Sequence, residues 1–365
     1  MPAGLSYMPL VLPASYREIT RVEGTIPYPA GGNTTSNPLR IDQSGLLESL
    51  LLTFQGTLTT TATVPTLGNN SPYGIVKYVT LMTSGGVGRA INIPGYQLNV
   101  YERVREPDYA DNPVQPVVAS SANAWSFSVV VPVCVRHGTL YGGFSDYLGA
   151  IYAGDPEVSV QLTITWGNEA SIITNQGAAN AVLTGAFTVT SFKLDVPTPD
   201  RDPALLQAIS WVHQMVEEQN IAVAASGPLA LPSLPVYEPR VYLRIIDYLF
   251  NNGAFANGVV SLYDATIQDY VDFDQSLPEY VFLQRQLRRY VNPPPPGTYV
   301  LDFASGNTRQ NWLPVQHVTL FKWTPTISNV ALTNASLDRV SETVVPSPLA
   351  KKWIALTQAR GNKAA

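Results

Sequence analysis

The sequence has 365 residues, enough for two domains of ordinary size, because most domains hold roughly 100 to 200 residues. Charged residues make up only 13% of it, about half the usual share, and such depletion is typical of surface that is covered in a permanent assembly. The net charge of -5 argues against a protein that wraps nucleic-acid phosphates over a broad face, so we expect no direct nucleic-acid binding.

Cysteine content and hydropathy exclude further classes. The single cysteine, Cys134, cannot form an internal disulfide, so the sequence is neither a disulfide-stapled secreted domain nor a cysteine-rich metal protein. Met1 to Pro13 is apolar but lacks the basic start and long apolar stretch of a signal peptide. No stretch approaches the ~20 apolar residues of a membrane-spanning helix, so we expect neither export by a cleaved signal nor a membrane span.

The first half of the chain is predicted to be all-β. Prolines and glycines, 30 and 26 in number, separate short runs rich in Val, Ile, Thr, Tyr and Phe, which is typical of many strands joined by tight connections. Apolar and polar residues alternate in several runs, so each has one buried face, and two stacked sheets would cover these faces. The predicted strands are Glu18–Ile26, Leu46–Thr61, Gly74–Met82, Tyr96–Val104, Trp125–Val135, Glu157–Trp166 and Ala181–Leu194.

A domain boundary is predicted where proline and charge cluster, from Val196 to Pro203, because strand pairing must stop there. From Ala204 to about Ala224 apolar residues recur at helical spacing, with Pro203 near the start, which predicts the clearest helix of the chain. The proline-rich segment from Ser226 to Pro235 is predicted to be an extended linker.

The second half is predicted to be a second β domain. One helix, roughly Leu277 to Tyr290, interrupts it and ends at the proline run Val291 to Gly297. The remaining runs predict strands at Arg240–Phe250, Tyr299–Phe303, Val315–Trp323 and Ile327–Val345. The fold class is therefore all-β with a few short helices.

The order of these segments resembles that of a known family. In the first half the order is Ser71–Met82, a polar Gly-rich loop and Gly95–Tyr101, then Trp125–Val133, a Gly-rich stretch through Ala153 and Val158–Trp166. In the second half it is Tyr237–Asp247, Phe250–Phe255, Arg285–Arg289 and Pro296–Val300. Together they resemble the tectivirus-like double jelly-roll major capsid proteins of tailless icosahedral viruses. Each string alone occurs in many sandwiches, so the resemblance rests on the collinear order from about residue 17 to 330.

The resemblance implies two jelly-roll β-sandwich barrels in one chain. The corresponding division is a first jelly roll with an N-terminal arm (1–195), a helix and proline-rich linker (196–235), a second jelly roll (236–346) and a basic C-terminal tail (347–365). The implied function is that of a major capsid protein, which self-assembles as pseudo-hexameric homotrimers into an icosahedral virion shell. Its partners would be copies of itself and neighbouring capsomers, and its location the virion capsid, assembled in the host cytoplasm.

No catalytic, cofactor or metal site is predicted, and we expect a protein that is not an enzyme. The three histidines, His137, His213 and His317, lie in separate segments without a triad or ligand spacing. An acidic group lacks the spacing of a calcium loop, and two carboxylate pairs leave open an alternative function as a carbohydrate-active jelly-roll protein. A receptor-binding spike is the other alternative. The acidic residues concerned are Asp264, Asp269, Asp272 and Asp274, and the pairs are Asp108 with Asp111 and Asp195 with Asp200.

The C-terminal tail is the candidate binding segment. From Lys351 to Ala365 it carries four basic residues and no acidic one, with an apolar component that includes a tryptophan. Basic residues beside an interfacial Trp suit anionic headgroups, so we predict contact with an internal membrane or a neighbouring capsomer. The alternative is a frayed, solubilising terminus. The residues concerned are Lys351, Lys352, Trp353, Arg360 and Lys363.

Overall fold

The structure is a computed structural model. It describes residues 16–61, 63–84, 88–105, 115, 117–135, 147–236, 239–252, 254–256, 260–267, 273–276, 295, 297–304, 312–315, 318–328, 330–348 and 350–364. For residues 88, 89, 254, 261–267, 273–276 and 360–364 it describes the backbone alone.

The described residues are mostly β-strand, as the sequence predicted. In chain order the strands are β1 (Arg17–Pro27), β2 (Leu39–Arg40), β3 (Leu46–Thr59), β4 (Val76–Thr83), β5 (Gly88–Ile93), β6 (Ala122–Pro132), β7 (Ile151–Tyr152), β8 (Val160–Trp166), β9 (Val182–Asp195), β10 (Trp211–Val223), β11 (Gly227–Pro228), β12 (Val241–Asn251), β13 (Ala254–Phe255), β14 (Val260–Ile267), β15 (Phe273–Ser276), β16 (Thr298–Asp302), β17 (Leu313–Pro314), β18 (Phe321–Ile327) and β19 (Ala335–Pro346). The α-helices are α1 (Gly95–Arg105), α2 (Gln176–Ala179), α3 (Pro203–Ile209) and α4 (Ala350–Ala364).

The strands of the first half form two facing sheets. One sheet has the order β1-β9-β3-β6, with the short β7 also paired to β3, and the other contains the run β2-β8-β4-β5. When β7 is set aside and the eight remaining strands are counted along the chain, the first sheet holds the first, eighth, third and sixth strands. The second sheet holds the second, seventh, fourth and fifth. Eight antiparallel strands that alternate between two sheets in this way form a jelly roll.

The second half repeats this order. Its first sheet is β10-β19-β12, with β16 and β17 on the far edge of β12, and its other sheet is β11-β18-β14-β15. Counted within the half with the two-residue strands β13 and β17 set aside, β10, β19, β12 and β16 are the first, eighth, third and sixth strands. The prediction of two jelly rolls in one chain is therefore confirmed at the level of strand order.

The two jelly rolls share one sheet. Strand β5, at the edge of the first roll, pairs in parallel with β10, the first strand of the second roll, through Met215 opposite Ile91 and Val216 opposite Asn92. This pairing joins four strands of the first roll to the first sheet of the second and makes a ten-stranded sheet. We call this junction the seam.

Each roll has an apolar interior, and the first extends across the seam. Its aromatic centre consists of Phe54, Phe127, Trp166 and Phe187, with the rings of Trp166 and Phe187 stacked at 5.3 Å. The same cluster includes residues of the second roll's sheet, among them Val212, Ile246, Tyr248 and Val340. The interior of the second roll is a separate cluster that contains Tyr242, Phe321, Trp323 and Leu337.

The predicted strand Tyr96–Val104 is wrong, because this segment is α1. The helix begins directly after Pro94, whose carbonyl accepts from the amides of Gln97 and Leu98. Leu98, Tyr101 and Val104 recur at helical spacing, whereas the neighbouring residues also alternate as a strand would. Burial on almost every side of α1 makes the two patterns hard to separate in the sequence.

The predicted helix Ala204–Ala224 is wrong over most of its length. Asp202 caps α3 by accepting from the amide of Ala204 at 2.8 Å, but the helix ends at Ile209. From Trp211 to Val223 the chain is instead β10, which pairs with β19 from end to end. The continuous ladder to a central strand outweighs the helical spacing of the apolar residues. Residues 196–235, predicted as helix and linker, thus include the first strand of the second roll.

Other boundaries differ by less. A short 3-10 turn, Tyr73–Ile75, precedes β4, where the predicted strand began at Gly74. The predicted strand Val315–Trp323 is replaced by β17 and β18, and the one predicted from Ile327 begins at Ala335. The predicted helix Leu277–Tyr290 lies outside the described residues.

Candidate functional site

Helix α1 of the first roll lies across the outer face of the second roll's sheet. It follows β5 directly, so it starts at the seam, and its tyrosines reach carboxylates on β19. Tyr96 donates to Asp338 at 2.5 Å and Tyr101 donates to Glu342 at 2.8 Å. Tyr248 on β12 donates back to the backbone carbonyl of Gln97 at 3.3 Å. Hydrogen bonds in both directions therefore join the two rolls beside the seam.

Glu342 is the centre of one buried ionic cluster. Its Oε1 accepts from Tyr101 and lies 3.0 Å from Nε2 of His213 on β10. Its Oε2 accepts from Arg244 on β12 at 2.6 Å, and Arg244 also donates to Asp302 at 3.2 Å. Burial alone raises the pKa of Glu342, but Arg244 and His213 together lower it well below its usual range. Glu342 is thus held as a carboxylate.

Asp338 is the centre of a second cluster on the same face of β19. Besides Tyr96, it accepts from Asn220 on β10 at 2.9 Å. Burial raises its pKa from 3.8 to about 6, the hydrogen bond from Tyr96 lowers it, and the nearby carboxylates of Glu217 and Asp247 raise it. The two clusters are therefore opposite in kind, because Glu342 has two basic partners and Asp338 has only neutral donors.

A third buried charge points into the second roll. Arg339, next to Asp338 in sequence, faces the opposite side of β19, since side chains alternate along a strand. Its Nε and Nη2 each donate to Asp247 at 2.7 Å, and Nη2 also donates to the carbonyl of Trp323 at 2.6 Å. The guanidinium lies 5.4 Å from the centre of the Trp323 ring. Both side chains of this bidentate pair are fully buried.

The buried clusters around Glu342 and Asp338 fix how the two rolls pack against each other. His213 and Glu342 are each only 1% exposed, so a substrate reaches them only if the seam opens. Removing one member of such a buried pair leaves the charge of the other buried without a partner, which costs about 3–5 kcal/mol of stability. The clusters therefore penalise any packing of α1 that fails to bring each donor to its carboxylate. Within the part of the chain that the structure describes, no group of three or more His, Cys, Asp or Glu is placed to hold a metal ion.

The predicted tail forms α4, and its tryptophan is used inside the chain. Trp353 is 8% exposed and packs edge-to-face on Tyr152, with ring centres 5.6 Å apart. Lys352 lies 3.1 Å from Asp155 and 3.1 Å from Glu157 in the segment before β8. These contacts anchor the start of α4, so the alternative of a frayed terminus is wrong there.

The other basic residues of the tail also lie on α4. Lys351 is exposed on α4, and Arg360 and Lys363 lie on the same helix with side chains outside the described set. None of the helices in the described ranges combines the length and apolar character needed to cross a bilayer. Contact of the tail with a membrane or a capsomer stays a prediction, now without Trp353 as an interfacial anchor.

The other candidate residues do not converge on one site. Asp195 ends β9, whereas Asp200 lies in a separate 3-10 turn, Pro199–Arg201. The backbones of Asp264 and Asp274 pair between β14 and β15. The others, His137, His317, Asp108, Asp111, Asp269 and Asp272, fall outside the described residues.

The sequence interpretation missed the charged residues of β19. The sequence feature that could have revealed them is the run from Leu337 to Val345. One basic and two acidic residues interrupt this run, which is otherwise suited to a buried central strand. A charge in such a strand needs a buried partner. The partners come from distant segments, so their identity could not be read from the run itself.

No protein-family model matches the sequence, and no curated protein matches it either.

Solved structures do match, across nearly the whole of both chains. The major capsid protein of Sulfolobus Turreted Icosahedral Virus is 14% identical, with a TM-score of 0.67 over 90% of this chain and 97% of that one. The major capsid protein of bacteriophage PM2 is 10% identical, with a TM-score of 0.57 over 90% of this chain and 98% of that one. A chain of the PBCV-1 virus capsid is 11% identical, with a TM-score of 0.58 over 92% and 96%.

The chain therefore has the double jelly-roll fold of viral major capsid proteins. The agreement covers 90% of this chain and so extends over both rolls, and the expectation drawn from the order of segments is confirmed for the fold. At these identities the likeness is one of architecture.

Replacing Glu342 tests the first cluster. We expect Glu342→Gln to lower the free energy of unfolding at pH 7 by about 3 kcal/mol, because Arg244 and His213 lose their charged partner. A carboxyl with a lowered pKa stabilises the fold above its unfolded pKa and loses this contribution as the pH falls. The difference from the wild type should therefore shrink on acidification below about pH 4. Urea unfolding measures it.

The matched control is Arg21→Gln, which removes a surface ion pair with Asp42 and whose side chain is 54% exposed. Such a pair contributes about 1 kcal/mol or less. Equal losses for the two variants would contradict a structural role for the Glu342 cluster.

Replacing Asp338 tests the second cluster by its pH dependence. Since the pKa of Asp338 is raised to about 6, the folded state holds a proton that the unfolded state releases, and wild-type stability falls as pH rises from about 4 to 6. A rise of this size corresponds to about 3 kcal/mol. Asp338→Asn removes the titration, so its stability relative to the wild type should increase over this range. Thermal unfolding at several pH values measures this, and a constant difference would show that Asp338 does not titrate there.

Proposed function

We propose that this chain is a major capsid protein that self-assembles as pseudo-hexameric homotrimers into an icosahedral virion shell. The observation that carries the proposal is the double jelly roll itself, with a likeness that spans 90% of this chain and 97% of the capsid protein it matches at a TM-score of 0.67. The location that follows is the virion capsid, assembled in the host cytoplasm.

The geometry of one chain supports a hexagonal capsomer. Two rolls of the same strand order lie side by side through a shared sheet, so each chain supplies two similar barrels. Three copies around a three-fold axis supply six, which approximates a hexagon. The charged content of 13% fits a surface that neighbouring copies cover. Partners in this function are further copies and neighbouring capsomers, and no direct nucleic-acid binding is part of it.

The role we infer is structural and not enzymatic. Two carboxyl groups with strongly shifted pKa values, Glu342 and Asp338, are buried among donors that belong to the fold. Perturbed pKa values often mark catalytic sites, but structural ion pairs perturb them as well. Here each carboxylate is engaged by α1 and by neighbouring strands, which supports the structural interpretation.

For the basic tail we propose contact with an internal anionic membrane. Lys351 is exposed, and the sequence adds Arg360 and Lys363 on the same helix with no acidic residue. Basic side chains near an anionic surface contribute about 1 kcal/mol each. Lys352 is left out of this set because Asp155 and Glu157 already neutralise it.

The oligomeric state tests the main proposal. Native mass spectrometry of the purified chain should give a mass three times that of one copy, and negative-stain images should have a hexagonal outline. A strictly monomeric particle would count against a shell protein. In purified virions this chain should be the most abundant protein, whereas a spike would be present in few copies.

Charge reversal tests the tail without removing the buried Trp353. In flotation with vesicles that contain anionic phospholipid, Lys351→Glu, Arg360→Glu and Lys363→Glu combined should weaken binding roughly 100-fold. The control makes the same change in charge at the exposed Arg17, Arg40 and Lys77 of the first roll. If both variants float alike, the tail is not the membrane contact, and loss of capsomer association by the tail variant alone would assign it to neighbouring copies.

A further inference from the structure

An apolar groove lies at the junction of the two rolls. It has a volume of about 780 Å³ and runs between the 3-10 turn and α3 on one side and α4 on the other. Its lining surface is mainly apolar and includes Pro199, Pro203, Leu206, Pro346, Ala350 and Ile354, with Asp200, Arg201 and Lys351 among its polar members. Ile354, which is 38% exposed, gives the lining an accessible large apolar side chain.

The first described residue of the chain contacts Asp202, whose sequence neighbours Arg201 and Pro203 line the groove. Tyr16, the first described residue, donates its hydroxyl to Oδ2 of Asp202 at 2.5 Å. The other oxygen of Asp202 caps α3, and Pro203, the next residue, lines the groove. Tyr16 also packs against the apolar cluster that contains Leu205 and Trp353. The first described residue is therefore tied to the segment, Pro199 to Pro203, that supplies one side of the groove lining.

The fifteen residues before Tyr16 have a composition suited to binding in an apolar groove. Met1 to Ser15 contains no charged side chain, and it includes three leucines, three prolines, two methionines and a valine. An uncharged segment enters an apolar groove without the cost of burying a charge. Its prolines reduce the entropy lost on binding. Extended, fifteen residues reach about 50 Å, far more than the distance to an adjacent groove requires.

We propose that the segment from Leu5 to Leu12 binds in this groove of its own chain. Tethering through Tyr16 favours this occupant, because a short covalent connection gives an effective concentration on the order of millimolar. The bound segment covers Ile354 and the prolines of the groove. This inference does not depend on the capsid function, since it concerns a single copy.

Cysteine labelling tests the proposal on the full chain. The native Cys134 is buried, so an introduced cysteine is the reactive one. Ile354→Cys is placed in the groove, and Leu356→Cys, at a site of similar exposure (41%) on α4 but outside the groove lining, is the matched control. Each is made in the full chain and in a chain that lacks Pro2 to Ala14. Maleimide should label the groove cysteine at least about 10-fold faster in the shortened chain, and the control equally fast in both.

Two further arms decide the occupant. In the full chain, Leu10→Asp with Leu12→Asp should raise the labelling rate of the groove cysteine as the deletion does, with the same unfolding temperature as the parent. Equal labelling of the groove cysteine with and without the segment would overturn the proposal. Protection that weakens on dilution would also overturn it, because the segment would then come from another copy.

Discussion

A central strand that carries Asp338 and Glu342 can be buried on both faces only if something brings donors to its outer side. In this chain α1 does so, since Tyr96 and Tyr101 reach the two carboxylates from the first roll while β10 and β12 supply Asn220, His213 and Arg244. Without α1 the outer face of the second roll's first sheet would be exposed. Beside this cover lie the parallel pairing of β5 with β10 and the part of the first apolar cluster that extends across the seam.

The two faces of β19 use charge differently. Inside the second roll, Arg339 and Asp247 satisfy each other and require nothing from the first roll. On the outer face, the carboxylates take donors from both rolls, and Tyr96 and Tyr101 are the donors that the first roll supplies. Buried pairs of this kind often contribute less to stability than apolar residues of the same volume would, but they penalise wrong arrangements strongly. Their value here is therefore greatest as a constraint on how the rolls meet.

The sequence was sufficient for the architecture and insufficient for its junction. Strand after strand could be predicted because alternation and proline punctuation are local, and the order of segments added the jelly-roll topology. Trp211–Val223 and Gly95–Arg105 could not be assigned correctly, since both are apolar at helical and at alternating positions, and only the ladder to β19 or the packing over it decides between them. The partners of Glu342 were out of reach for another reason, because Tyr101 is 241 residues away along the chain.

The seam also pairs strand edges within the chain. Strand β5 lies between β4 and β10, and β10 lies between β5 and β19, so the paired stretch at Met215 and Val216 cannot join a neighbouring copy. A closed ring of six barrels made from three such chains must then contain two kinds of barrel contact in alternation, three that are covalently tethered and share a sheet, and three that form between copies through other surfaces. Mechanical strain on the ring would therefore break the contacts between copies first. A capsomer of this design should come apart into whole chains before any chain separates into its two barrels.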